Sequence, residues 1–152
     1  MERNNEYLED RLFNIWEEYF GDVPRKNLVI IKFGKYSKRQ LGSIKWATRD
    51  TKIAGILRKK KEEYLNQDDS RISVISITKY FQNIAVPEYV IDGTIAHELV
   101  HYVHGFHSPL ERKYAHPHKG RIVQKELMKR GLGDVYKQSE VWLKANWKSI
   151  VY

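Results

Sequence analysis

Residues 97–101 read His-Glu-Leu-Val-His, a pentapeptide that could hold a metal ion and act on a bound water. The two histidines are four residues apart, so on a helix they share one face and both imidazoles can reach one Zn²⁺ at about 2.0–2.1 Å. Glu98 lies beside a ligand, where it can take a proton from a metal-activated water and pass it to a leaving amine. The pattern is typical of a zincin. It predicts His97 and His101 as zinc ligands and Glu98 as general base.

A catalytic zinc site needs a third protein ligand and one open position for water. All six histidines of the chain lie between His97 and His118. Helical rotation carries His104 away from the first two ligands, whereas His118, which follows a proline, could project back to the metal from the start of the next predicted helix. Glu126 inside that helix could serve instead, and geometry leaves both open with His118 preferred. The other candidates in this stretch are His107, Glu111 and His116.

Hydrophobic spacing predicts the elements that would position these residues. A helix over residues 6–20 is followed by three β-branched or alternating segments that predict strands, at 28–33, 41–47 and 71–78. Residues 49–69 show no clear pattern. From Pro87 to Gly105 the spacing is helical again, and its apolar face consists of Ile91, Ile95, Leu99 and Val103.

The end of the chain is predicted to add two more helical segments. One runs from about His118 to Arg130, and a short closing helix follows in the tail. This order of elements predicts an α+β fold with a three-stranded sheet. We expect one domain over residues 1–152, with a catalytic core at about 5–133 and a segment 134–152 that packs on it or covers the site as a lid. Trp142 and Trp147 are expected to belong to that core or lid.

Residues 87–132 resemble the SprT-like metallopeptidase family, also called the SprT/Spartan family. That family carries His-Glu-x-x-His on one helix and a third ligand histidine at the head of a second helix, with a bulky residue four positions on and a closing glycine. Here these positions are His118, Ile122 and Gly131. Gly120 stands two residues after His118, where the family usually has a glycine directly after the histidine, and this departure keeps His116 as an alternative ligand.

The resemblance implies a small zincin-like domain with one Zn²⁺ per chain, held by His97, His101 and His118. It implies peptide-bond hydrolysis with Glu98 as general base, on protein or peptide substrates that include proteins attached to DNA. The chain is also similar to minimal prokaryotic zincins, in which a terminal segment can block the active site. A latent, self-blocked zincin is therefore an alternative function.

The net charge and composition indicate which binding partners to expect. The net charge is +8, from 27 Lys and Arg against 19 Asp and Glu, which favours polyanions such as DNA. A basic nucleic-acid-binding module with a structural zinc is thus a further alternative, although a structural site has no use for Glu98. Basic residues are dense after the motif, at Arg112, Lys113, Lys119, Arg121, Lys125, Lys129 and Arg130.

The sequence lacks features that other classes of protein require. There is no cysteine, which excludes disulfides, a zinc ribbon and thiol chemistry. No apolar run approaches the roughly 20 residues of a membrane span, and the first residues do not resemble a signal peptide. We therefore expect a cytoplasmic protein with no membrane partner.

Four residues that follow the histidine motif are further candidates for the site. Tyr114 is a candidate hydrogen-bond donor to the transition state, His116 a candidate substrate contact, and His104 and His107 candidate rim residues.

Overall fold

The computed structural model describes residues 2–152, which form six α-helices and one mixed three-stranded sheet, so the α+β prediction is confirmed. The helices are α1 (Asn5–Tyr19), α2 (Ala54–Lys59), α3 (Lys61–Leu65), α4 (Glu88–Val103), α5 (Ile122–Lys129) and α6 (Gly133–Val151). The strands are β1 (Val29–Phe33), β2 (Gly42–Trp46) and β3 (Ser73–Ile77). Two 3₁₀ turns, at Lys79–Gln82 and Lys119–Arg121, connect them.

The sheet places β3 in the centre and leaves β2 as an edge strand. β1 pairs with β3 in parallel, with Ile30 opposite Val74, whereas β2 pairs with β3 antiparallel, with Ile44 opposite Ile75. The central strand is rich in β-branched residues and almost wholly buried, as expected for a strand covered on both faces. All three predicted strands are present, and β1, β2 and β3 are shorter than predicted by one, two and three residues.

The main core lies between the sheet, α1 and α4. The predicted apolar stripe of α4 is buried: Ile91, Ile95 and Leu99 are at most 1% exposed. Helix α1 begins at an Asn4 cap whose side chain accepts a hydrogen bond from the Tyr7 N–H, and its apolar face packs on the same core. The outer faces of α1 and α4 are joined by the Arg11 guanidinium, which donates to both oxygens of Asp92 at 2.9 and 2.8 Å. The helix that carries the histidine motif is therefore held rigidly on several sides.

The segment after the motif differs from the prediction in where its helix begins. We expected a helix from His118, but His118 precedes a 3₁₀ turn and α5 begins at Ile122. Gly120 and Arg121 have φ angles of 76° and 57°, in the left-handed region that an α-helix excludes. His118 is therefore carried by a turn ahead of α5 rather than by the helix itself.

The C-terminal tail differs from the prediction, and the structure also resolves residues 49–69, for which the sequence showed no clear pattern. The tail forms α6, a helix of 19 residues rather than a short closing helix, and Trp142 and Trp147 pack partly buried against the core. Ser139 interrupts its apolar spacing because α6 approaches α4 there: a Cβ on Gly93 would lie 3.2 Å from the Ser139 Cβ. The unclear region 49–69 contains α2 and α3, beside a second small apolar cluster built on Leu28 and Ile30. Among residues 2–152 no helix is long and apolar enough to cross a membrane.

Candidate metal centre

Three histidine side chains converge at the C-terminal half of α4. The Nε2 atom of His118 lies 3.2 Å from Nε2 of His97 and 3.0 Å from Nε2 of His101. One ligand atom from each histidine lies within 4.8 Å of the others. Ligands arranged tetrahedrally at about 2.0–2.1 Å from one Zn²⁺ are themselves about 3.3 Å apart. The three nitrogens are thus close enough to bind one metal ion together.

The histidines of α4 are held in the form that binds metals. Burial, with a smaller contribution from the neighbouring His118, lowers the pKa of His97 to about 4. Burial and the surrounding histidines lower the pKa of His101 to about 3. Both imidazoles are therefore neutral at neutral pH, with lone pairs available to a cation.

Glu98 lies beside these histidines as a buried carboxyl group. It is 4% exposed, and its Oε2 atom has no hydrogen-bond partner among the described residues. Burial raises the pKa of Glu98 to about 8. The backbone of β2 packs directly against this side chain, since a Cβ on Gly42 would lie 3.3 Å from the Glu98 Cγ. The burial, the partnerless oxygen and the raised pKa together make Glu98 a candidate reactive group.

The histidines and Glu98 open into a cleft of about 610 Å³. One wall is the segment 39–45, which includes most of β2, and the other is α6. The α6 residues in this wall are Tyr136, Ser139, Glu140 and Leu143. The tail that was predicted to pack on the core or act as a lid therefore forms one side of the cleft.

The edge of β2 that faces away from β3 has unpaired backbone groups. The Leu41 carbonyl accepts a hydrogen bond from the Thr78 N–H at 2.8 Å, and alternate residues of β2 continue this ladder to β3. Because every second residue bonds to β3, the N–H and C=O groups of the residues between them, Gly42 and Ile44, point away from β3. Both residues also line the cleft, so the free edge of β2 can pair with an extended chain placed there.

His104 and Glu126 are not part of the histidine cluster. His104 is 1% exposed, so the prediction that it lies at the rim is wrong, and its Nε2 pairs with Glu126 Oε1 at 3.3 Å. The other Glu126 oxygen accepts a hydrogen bond from Arg130 Nε at 2.8 Å. This network joins the end of α4 to α5. The Glu126 carboxylate is thus bonded to His104 and Arg130, whereas His118 lies with His97 and His101.

The remaining loop candidates lie in different surroundings. The Tyr114 ring packs edge-on against His104 with centroids 4.8 Å apart, and neither Tyr114 nor His116 is among the residues that line the cleft. His107 does line it. The tyrosine that lines the cleft is Tyr136, whose ring lies 6.5 Å from that of His97. Sequence reasoning missed Tyr136, although its spacing to Glu140 and Leu143 on one helical face was a usable signal.

Replacement of Glu126 by glutamine is expected to leave metal binding intact and to lower stability. The substitution weakens the pairing with His104 and Arg130, and we expect a loss of about 1–3 kcal/mol of unfolding free energy. Urea denaturation and elemental analysis of the same preparations would measure both effects. Loss of the metal from a variant that remains folded would identify Glu126 as a ligand and contradict this description of the site.

Comparisons of the chain with protein-family models, with curated proteins and with solved structures gave no match. The resemblance to the SprT-like family accordingly stays a prediction from the motif residues. The chemistry assigned to the site rests on the geometry of His97, Glu98, His101 and His118.

Proposed function

We propose that the chain is a zinc-dependent metallopeptidase of the SprT-like kind with a zincin-like fold. In this proposal His97, His101 and His118 hold the ion and Glu98 is the general base. The observation that carries it is the convergence of three imidazole Nε2 atoms beside a buried carboxyl group that has a partnerless oxygen, in one cleft. A donor set made of three imidazoles suits Zn²⁺.

The number of ligands supports a hydrolase over a nucleic-acid-binding module with a structural zinc. Among residues 2–152 the cluster consists of three histidines, and no cysteine, aspartate or glutamate joins it as a fourth ligand. Structural zinc sites are closed by four protein ligands, whereas catalytic sites keep one position for water or substrate. The latent alternative has less support, because a cleft of about 610 Å³ remains beside the histidines with the loop and α6 in place.

The roles of the residues follow from their positions. A zinc ion held by the histidines would supply Lewis acidity, lower the pKa of a water in its open position and favour the ionised form of Glu98. Glu98 would accept a proton from the attacking water through Oε2, the oxygen that has no hydrogen-bond partner among the described residues. The same carboxyl group passes the proton to the amine that leaves when the peptide bond breaks.

The free edge of β2 supports a peptide or protein as the substrate. An extended peptide placed in the cleft can pair with the backbone groups of Gly42 and Ile44, which holds it alongside Glu98. Main-chain pairing of this kind recognises any extended chain and leaves sequence selection to the side chains around the cleft. The net charge of +8 would also favour substrates that are attached to DNA.

The proposal predicts peptide hydrolysis that depends on zinc. Quenched fluorescent peptides and an unfolded protein should be cleaved by the zinc-loaded chain, and a zinc chelator should abolish cleavage. About one equivalent of Zn²⁺ should restore it, and Mg²⁺, which prefers oxygen ligands, should not. Cleavage that survives complete removal of the metal would contradict the proposal, as would failure of the zinc-loaded chain to cleave any of these substrates.

A further inference from the structure

Apart from the histidine cluster and Glu98, the charged or basic residues that line the cleft are Arg39, the α6 carboxylate Glu140, and three basic side chains near one another, Lys45, His107 and Arg112. Among residues 2–152 no carboxylate forms an ion pair with any of them, whereas nearby Arg71 pairs with Asp69 at 2.7 Å. Two cations and an imidazole donor without ion-pair partners in a cleft wall attract an anionic group from a ligand. We call Lys45, His107 and Arg112 the basic subsite.

The basic subsite lies close to the metal centre. The Arg112 guanidinium carbon is 4.7 Å from the centroid of the Phe106 ring, and that ring lies 6.1 Å from the ring of His101. One aromatic ring therefore separates Arg112 from a histidine of the cluster. An extended peptide advances about 3.3 Å per residue, so an anion bound here would lie within a few residues of the bond that is cleaved.

The loop that carries His107 and Arg112 is folded back tightly toward the cleft. Gly105 has φ of 83°, and a Cβ there would lie 2.5 Å from the Arg112 Cα, so the chain can double back only with glycine at this position. His107 itself is left-handed, with φ of 50°. Non-glycine residues held in this region are concentrated at functional sites, where surrounding contacts enforce them.

Two contacts hold His107 in that conformation and fix its hydrogen bonding. The Trp46 N–H donates to His107 Nδ1 at 3.4 Å, and the Ser73 hydroxyl donates to the His107 carbonyl at 2.7 Å. Since Nδ1 accepts a hydrogen bond, neutral His107 carries its proton on Nε2 and can donate from there. Burial lowers the pKa of His107, and the charges of Lys45 and Arg112 lower it further.

We propose that Lys45, His107 and Arg112 form a carboxylate-binding subsite that selects peptides with an anionic group close to the cleaved bond. The carboxylate belongs either to an acidic side chain or to the free C-terminus of the peptide. A guanidinium can donate two parallel hydrogen bonds to a carboxylate, and the lysine and histidine add two more donors. This inference rests on the proposed peptidase function, which makes a peptide the ligand of the cleft.

Binding to the zinc-loaded Glu98→Gln variant tests the subsite without turnover. The probes are short fluorescent peptides in matched pairs, with Asp or Glu against Asn or Gln, and with a free C-terminus against an amide. We expect the acidic member of one pair to bind about 10-fold or more tightly, and the pair that shows the preference identifies the source of the carboxylate. The preference should disappear when Lys45→Gln and Arg112→Gln are added.

A charge-matched control separates the subsite from the general positive charge of the protein. Arg58→Gln with Lys59→Gln removes one arginine and one lysine from α2, outside the residues that line the cleft. This control should keep the acidic preference, and its loss in the control would overturn the subsite. Equal binding of all members of both pairs would also overturn it.

Two further outcomes are distinguishable. Tight binding of a DNA oligonucleotide that requires Lys45 and Arg112, with no preference among the peptides, would assign the subsite to phosphate and overturn the carboxylate proposal. Failure of the wild-type chain to cleave any peptide, with the acidic preference of the Glu98→Gln variant retained, would overturn the peptidase function and support the subsite as a peptide-binding feature.

Discussion

Replacement of Glu98 by glutamine is expected to lower kcat for peptide hydrolysis by about 10²- to 10⁴-fold while the zinc content is unchanged. Glutamine keeps the shape of the buried side chain against Gly42 but cannot accept and return a proton. Because Glu98 is not among the three converging histidines, its replacement removes no ligand from the site. Steady-state kinetics on a quenched peptide, together with elemental analysis of the same samples, would measure both quantities.

Glu111→Gln is the matched control for this substitution. Glu111 is an exposed carboxylate in the neighbouring loop and is not among the residues that line the cleft, so its replacement should leave kcat nearly unchanged. Wild-type activity in the Glu98→Gln variant would refute a general-base role. Simultaneous loss of zinc and activity would instead make Glu98 a ligand.

Replacement of His118 by alanine is expected to weaken zinc binding by more than about 100-fold. Removal of a hydrogen-bond partner behind a ligand already costs about 10- to 100-fold in metal affinity, and His118 supplies one of the three converging nitrogens itself. The chain should remain folded, because His118 is exposed and contributes nothing to the main core. Competition with a chromophoric zinc chelator would measure the affinity, and circular dichroism would verify the fold.

His116→Ala is the control for this experiment because it removes an exposed histidine two residues earlier in the same loop. His116 lies outside the cluster, so the variant should bind zinc like the wild type. If His116→Ala loses the metal and His118→Ala keeps it, the third ligand is His116. The geometry of the turn before α5 would then have to differ in the metal-bound chain.

The elements with strong local patterns were predictable from the sequence. Helix α4 has apolar residues at regular steps of four, and each strand is a short β-branched or alternating run bounded by turn residues. The order of strands was not predictable, since β3 inserts between β1 and β2, two strands that both lie well before it in the chain. The length of α6 was underestimated because the small residue Ser139, needed for close contact with Gly93, interrupts its apolar stripe.

The candidate site was predictable only where its residues are neighbours in sequence. The spacing of His97, Glu98 and His101 on one helix predicted their roles directly. Spacing could not separate His118 from Glu126, because tertiary contacts distinguish them: Glu126 is paired with His104 and Arg130. The cleft walls were missed for the same reason, since β2 and α6 are far apart in the chain and meet only in the folded structure.

The most direct test of the account is the zinc content of the purified, untagged wild-type chain, measured by elemental analysis before and after removal and return of the metal. We predict about one zinc per chain, lost to a strong chelator and regained on addition of Zn²⁺, because three imidazole side chains converge closely enough to bind one ion. A chain that binds no zinc, even after it is added back, would contradict the metal centre and with it the proposed hydrolase.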